Sequence, residues 1–259
     1  TREQFDDGFP QWYYWLSAHA STHGLIVYLI TGSIFFLIAE FISHWLIDFV
    51  KCDKTINLHQ DQFLHILSKV AYALVIFSEL SPSLIKFIEG QHIYFVATAR
   101  ASGTVNLSPK GMDSLKVLSK KELLWLNYTG SGNETAAHIL ENPRMTIMFC
   151  SFERKPLILR LYGKAKAIHP RDKNWNKYLE FFPNTNGARQ FYLLEINLVQ
   201  TSCGFAVPFY DYKEERKALV DWAETKGDAG IESYWLEKNQ LSIDGFDTAI
   251  IGNQHSKAD

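Results

Sequence analysis

Residues Leu123–Cys150 read LLWLNYTGSGNETAAHILENPRMTIMFC. Leu123–Tyr128 is rich in apolar and aromatic residues and reads as a strand. Gly130-Ser131-Gly132 breaks it. Glu134–Glu141 then carries a helical pattern, Asn142-Pro143 stops it, and Met145–Phe152 reads as the next strand. Ser131 or Asn133 can cap the helix, with Glu134 and Thr135 in its first turn. Gly130 and Gly132 let backbone approach a ligand closely. A helix N-terminus offers N–H groups and a positive dipole end, which suits a phosphate. The same pattern also serves as a plain turn and cap, so any chemistry depends on what surrounds it.

Working outward, Ile93–Ala99, Leu157–Ala167 and Phe191–Val199 also read as strands. Turn signals at Ser102-Gly103, Pro109-Lys110-Gly111 and Asn186-Gly187 separate them. Ser81-Pro82 opens a short helix that ends at Gly90. Helical patterns recur at Asp172–Phe181, Glu214–Lys226 and Ile231–Lys238. Five or six strands with few long helices predict a mainly β fold, an antiparallel barrel with helices. VNLSPKG (Val105–Gly111) closes one strand with Ser108 and Lys110. That hydroxyl and cation suit a phosphate or a flavin ring, or an ordinary hairpin end. Arg160, in LILRLYG, sits in an apolar strand and needs a partner, either a ligand phosphate or a carboxylate such as Glu195.

The N-terminal third is different. Gly24–Ala39 carries no charge, and the apolar run resumes after Glu40 to reach Val50. The length predicts a transmembrane helix over 24–50, and the pattern is not that of a signal peptide. Glu40, His44 and Asp48 fall at i, i+4 and i+8 on one helical stripe. They read either as a metal or proton site completed by His59, Asp61 or His65, or as a polar stripe packed on another helix. No metal is assigned. Phe63–Phe77 is a second apolar stretch, either an interfacial or packed helix or a second span. Lys51 and Lys54 after the first span place the following domain in the cytoplasm. The expected organisation is a membrane-associated helical segment at 1–77, a barrel domain at 79–250 and a disordered tail at 251–259. The short join at Val75–Ser81 gives the two halves little independent motion.

Composition excludes several classes. Among 259 residues, 26 Lys and Arg face 28 Asp and Glu, so the net charge of −2 lacks the basic footprint of a nucleic-acid binder. The hydrophobic fraction of 47% excludes a disordered chain. Cys52, Cys150 and Cys203 are widely spaced, which argues against a disulfide framework or a thiolate zinc site and fits a reducing compartment. No Ser-His-Asp order, HExxH motif or Walker loop is present.

Taken in order, IYFVATA, GTVNLSPKG, LLWLNYTGSGNETAAHILENPRMTIMFC, LRLYGKAKAIHP and QTSCGFAVPFYDY resemble the pyridoxamine 5′-phosphate oxidase-like family, the FMN-binding split barrels, from about Glu79 to Gly245. The resemblance implies a split β-barrel, a homodimer with FMN at the subunit interface, and oxidoreductase chemistry on a small molecule. The cofactor residues it implies are Asn106, Ser108, Lys110, Tyr128, Thr129, Asn133, Glu134, Thr135 and Arg160. The family's arginine-lysine pair falls on Glu134-Thr135, a departure that shifts phosphate neutralisation to backbone N–H groups, Lys110 and Arg160. The arginine–leucine–histidine substrate motif of the true oxidases is missing after Trp222. No catalytic residue is named, because hydride transfer to flavin needs no side-chain acid or base. Trp125, Tyr128, Phe205, Phe209 and Tyr210 are candidate walls for an aromatic substrate. The alternative is a non-catalytic flavin- or haem-binding protein anchored to a membrane, with His92, His138 and His169 as candidate haem ligands. A second resemblance, HWLIDFVKC (His44–Cys52) followed by DQFLH (Asp61–His65), is to uncharacterised bacterial multi-span membrane proteins and covers residues 10–75.

Overall fold

The computed structural model describes residues 12–31, 34–52, 55–57, 59–65 and 75–252. The chain forms two compact units, Thr1–Val75 and Ile76–Asp259.

In the first unit the expected single span is two helices, α1 (Trp12–Thr31) and α2 (Ile34–Cys52). They run antiparallel. Gly24 lies so close to Leu37 that a Cβ there would stand 2.8 Å from the Leu37 carbonyl oxygen. At the other end the His19 ring lies 5.0 Å from that of His44. No helix of the described residues is long and apolar enough to cross a membrane. The physical reason is that α1 ends at Thr31, and that the 19 residues of α2 include the charged Glu40, Asp48 and Lys51. Residues 59–65 are helical. Of the second apolar stretch, Val75–Phe77 is a short strand, β1, that pairs with β8 below. Its middle, residues 66–74, lies outside the described residues, as does 253–259 of the expected tail.

The second unit holds α3 (Pro82–Glu89), β2 (Tyr94–Thr98), β3 (Asn106–Lys110), β4 (Leu115–Ser119), β5 (Glu122–Tyr128), α4 (Glu134–Glu141), β6 (Arg144–Cys150), β7 (Ile158–Ile168), α5 (Trp175–Leu179), β8 (Ala188–Ser202) and α6 (Ala218–Lys238). Ser81 caps α3, accepting the Leu84 N–H, with Pro82 at the first helical position. The two expected C-terminal helices are present as the two halves of α6, separated by a kink where Gly227 takes the non-helical φ 61°. The strands form one eight-stranded sheet in the order β3-β2-β6-β7-β8-β5-β4, with β1 on β8, and the pairings between neighbours along that order are antiparallel. β1 and β4 are the additions to the five or six strands expected.

The sheet curls on itself. In a flat sheet β3 and β5, five steps apart, would be separated by about 24 Å at about 4.8 Å per strand. Instead the Lys110 ammonium of β3 lies 5.2 Å from the Trp125 ring of β5. The interior is filled by alternate residues of the curled strands, including Val96, Leu123, Trp125, Ile147, Phe149, Leu161, Tyr192 and Leu194, closed by Leu84 and Ile88 of α3. The opposite face of β5 is covered too. Leu124 and Leu126 pack with Phe191 under Tyr178 of α5 and Phe182. β5 is therefore apolar on both faces, which explains its unbroken LLWL run.

Candidate functional site

At the end of β5 the strand runs into the Gly130–Asn133 loop and α4. This segment, the inward-facing residues of β3 and the start of β8 surround a cavity of about 280 Å³. Asn106, Ser108, Lys110, Tyr128, Asn133, Glu134 and Thr135, all expected from the sequence, line it together with Asn127, Gly130, Ser131, Gly132 and Arg189. β3 supplies its residues by strand alternation. Asn106, Ser108 and Lys110 turn in, while Val105 and Leu107 are exposed.

A hydrogen-bond chain fixes the polar wall. Ser108 Oγ donates to Asn106 Oδ1 at 2.7 Å, and Asn106 Nδ2 donates to Thr135 Oγ1 at 3.2 Å. Asn133 occupies the N-cap position of α4, but its side chain makes no cap bond. It donates instead to the Asn239 carbonyl and accepts from Gln190 Nε2 at 3.1 Å. The helix is thus not capped by Asn133 in the way the sequence suggests. Buried Asn239 pins the glycine loop by donating to the carbonyl oxygens of Gly130 and Ser131.

Arg189 is the residue that sequence reasoning missed. β5 and β8 slip register between Asn127, opposite Gln190, and Tyr128, opposite Ala188, which leaves Arg189 as the extra residue of a bulge. Bulges re-aim side chains. Arg189 is 3% exposed and donates to Asn239 Oδ1 at 2.7 Å and to the Gly130 carbonyl at 3.3 Å. Its Nε is buried without a hydrogen-bond partner. Burial brings its guanidinium pKa down to about 10. Burial, and then the Arg189 charge, lower that of Lys110 to about 8. Both are cations at neutral pH. Among the described residues lining the cavity the acid is Glu134, and its carboxylate already accepts the Ile243 N–H at 3.0 Å. Two cations converge with no acid committed to them, so the cavity favours an anion. A cation inside the apolar context of RQFYLLEI was the available signal.

Two expected residues lie elsewhere. Thr129 is buried beside the cavity, donating to the Gly187 carbonyl and accepting the Trp235 indole N–H at 2.8 Å. Its role is to tie the strand end to α6. Arg160 is half-buried on β7 and donates to Ser202 Oγ at 3.1 Å, not to Glu195 and not into the cavity. Tyr128 lines the cavity with its hydroxyl fixed on the Asn184 carbonyl at 2.8 Å.

The proposed aromatic wall is not assembled. Trp125 is core and stacks on Tyr192 at 4.8 Å. Phe205, Phe209 and Tyr210 are exposed. The three histidines suggested for haem are dispersed in contacts of their own. His92 stacks on Tyr212, His138 bonds Thr98, and His169 is buried with its pKa lowered to about 4 by burial. A larger hollow of about 450 Å³ lies between α4, β7 and Ala249. Its cation, Arg171, already donates to the carbonyls of Ala249 and Ile250, so it offers an anion less.

Residues 80–203 match the family model described as pyridoxamine 5′-phosphate oxidase. A curated relative from Aspergillus flavus, the pyridoxamine 5′-phosphate oxidase family protein ustO, is 34% identical over 189 residues, covering 66% of this chain and 76% of its own. The chain belongs to the pyridoxamine 5′-phosphate oxidase family. Solved structures similar to it include a putative pyridoxamine 5′-phosphate oxidase from Lactobacillus delbrueckii, 20% identical over 48% of this chain and 94% of that one, with a TM-score of 0.39. An FMN-binding protein from Syntrophomonas wolfei is 14% identical over 46% and 81%, with a TM-score of 0.35. Within this family member, the matched region contains every residue of the cavity described above.

Proposed function

We propose that the barrel unit binds FMN and acts as a flavin-dependent oxidoreductase on a small molecule other than pyridoxamine phosphate. Family membership supports the flavin. The observation that carries the reading is the convergence of Lys110 and buried Arg189, whose Nε has no partner, on a cavity at a helix N-terminus. That donor set fits a phosphate and repairs the loss of the basic pair at Glu134-Thr135. Lys110 and Arg189 would neutralise the phosphate, Thr135, whose oxygen accepts from Asn106, would donate its hydroxyl proton to it, Ser108 would do so on turning its hydroxyl away from Asn106, and the glycine loop would let it approach the backbone. When bound, the flavin supplies the redox chemistry of hydride transfer, and the protein supplies binding and orientation. Asn239 holds Arg189 and the glycine loop in place, and Asn106 positions Thr135.

A volume of about 280 Å³ is slightly below the range of small-molecule sites. We read it as the phosphate end of a larger site that a second copy completes, in a homodimer formed over the exposed Leu107 of β3 and Val105 just before it. The test is the visible spectrum of the purified full chain. A flavin spectrum that survives gel filtration, with FMN released on denaturation, supports the reading. A Soret band instead would favour the haem-binding alternative. A colourless protein that refuses added FMN would refute it. Bleaching by a reduced nicotinamide faster than that of free FMN, followed by reoxidation, separates an active redox site from passive storage.

A further inference from the structure

Among the described residues of the first unit, several ionisable side chains are buried while a row of aliphatic ones is exposed. Glu40, His44 and Asp61 are buried, while Ile34, Ile38, Ile42 and Leu46, one ridge of α2, are exposed. Charges are seldom buried unless they are paired or bind a metal. Around His44 lie four more groups from three helical segments: His19 and His23 of α1, Asp48 of α2, and His65. The ligating atoms of His19, His23 and His44 all lie within 4.8 Å of one another, as do those of His44, Asp48 and His65, so the two triads share His44. Asp48 is the hub. One oxygen stands 3.5 Å from His44 Nε2 and 3.7 Å from His19 Nε2, and the other stands 3.1 Å from His65 Nε2. Ligands about 2.0–2.1 Å from a tetrahedral zinc ion are separated by about 3.3 Å. The three spacings from Asp48 are close to such ligand edges.

Two further observations point to an ion. His44 is 4% exposed, and neither ring nitrogen makes a hydrogen bond. Its Nδ1 faces Glu40 Oε1 at 3.5 Å while its Nε2 faces Asp48. A carboxylate behind a histidine whose other nitrogen points to a common centre is the arrangement that orients metal ligands.

We propose that the helical unit binds one divalent transition-metal ion through His19, His44, Asp48 and His65, with Glu40 orienting His44. Imidazole-rich ligation selects zinc-class ions over Mg²⁺ and Ca²⁺, which take oxygen. His59, one of the candidates suggested by the sequence, is exposed at the far end of the 59–65 helical stretch and takes no part.

The experiment is calorimetric titration of the chelator-stripped full chain with ZnCl₂, with MgCl₂ as the control. One Zn²⁺ per chain and no Mg²⁺ binding are expected. His19→Ala is the safest variant because that ring is 57% exposed, so it leaves the buried cluster intact. It should weaken Zn²⁺ at least about 10-fold, Asp48→Asn about 100-fold, and Glu40→Gln between these, in line with the losses seen when supporting residues are removed. Circular dichroism checks that each variant keeps its helices, and if Asp48→Asn unfolds, His19→Ala decides. Arg189→Met, in the other unit, should leave Zn²⁺ binding unchanged. Absence of Zn²⁺ binding, or equal affinity in wild type and His19→Ala, would overturn the proposal.

Discussion

Arg189→Met removes the buried cation while keeping a chain of similar length. In the ligand-free protein it deletes the bonds to Asn239 Oδ1 and the Gly130 carbonyl. Gly130 keeps the Asn239 amide as donor at 3.0 Å, so one buried acceptor, Asn239 Oδ1, is orphaned. That costs about 1–3 kcal/mol, offset in part by the loss of a desolvated guanidinium. The folded protein therefore survives the change. With FMN the loss is larger, because a charge-assisted bond to the phosphate is worth about 1.5–3 kcal/mol, or about 10- to 150-fold in Kd. Riboflavin lacks the phosphate and serves as an internal reference. Quenching of flavin fluorescence should show FMN weakened about 10- to 150-fold and riboflavin nearly unchanged. Equal weakening of both, or FMN affinity unaffected, would refute the assignment of this cavity to the phosphate.

Lys110 sets a pH dependence. Its folded pKa of about 8 lies below the ordinary 10.5, so it is charged below about pH 8 and neutral above. FMN affinity should fall as pH rises through about 8, and Lys110→Met should flatten that profile; an unchanged profile in the variant would exclude this lysine. In the flavin-free protein the unfolded chain holds this proton between about pH 8 and 10.5 while the folded chain has released it, so this group makes stability rise with pH across that window. Gly163→Ala forces a Cβ to within 2.0 Å of the Glu195 carbonyl oxygen, between central strands β7 and β8. Overpacking of about 1–3 kcal/mol should lower the melting temperature by about 2–12 °C, and no change in a thermal melt would contradict the close approach. Leu107→Glu places a charge on the exposed face of β3; sedimentation should show a shift from dimer to monomer and weaker FMN binding, and an unaltered dimer would move the interface elsewhere.

The strand–loop–helix–strand core of the site was legible because its signals are local. Apolar and aromatic richness placed β5 and β6, glycines marked the loop, and Asn142-Pro143 closed α4. β3 was read correctly as the strand that delivers Ser108 and Lys110. The single apolar span was misread because hydrophobicity over Gly24–Val50 records composition, not where a helix stops or what its polar stripe faces. α1 and α2 instead fold back on one another and bury that stripe, and the histidines at 19 and 23 became part of it only through the hairpin.

Arginine shows most plainly where sequence ends. The rule that a cation in an apolar strand needs a partner applied equally to Arg160 and Arg189. It reports a need, not an address. Arg160 met a neighbouring serine on β8, whereas a one-residue slip between β5 and β8 turned Arg189 to the cavity. Chain-local physics determined which segments would be strands, which helix would begin at a glycine loop and which residue types would be at hand. Strand register, a bulge and the curl that carries β3 across to β5 are sums over distant pairings, and only they decided which cations share the cavity.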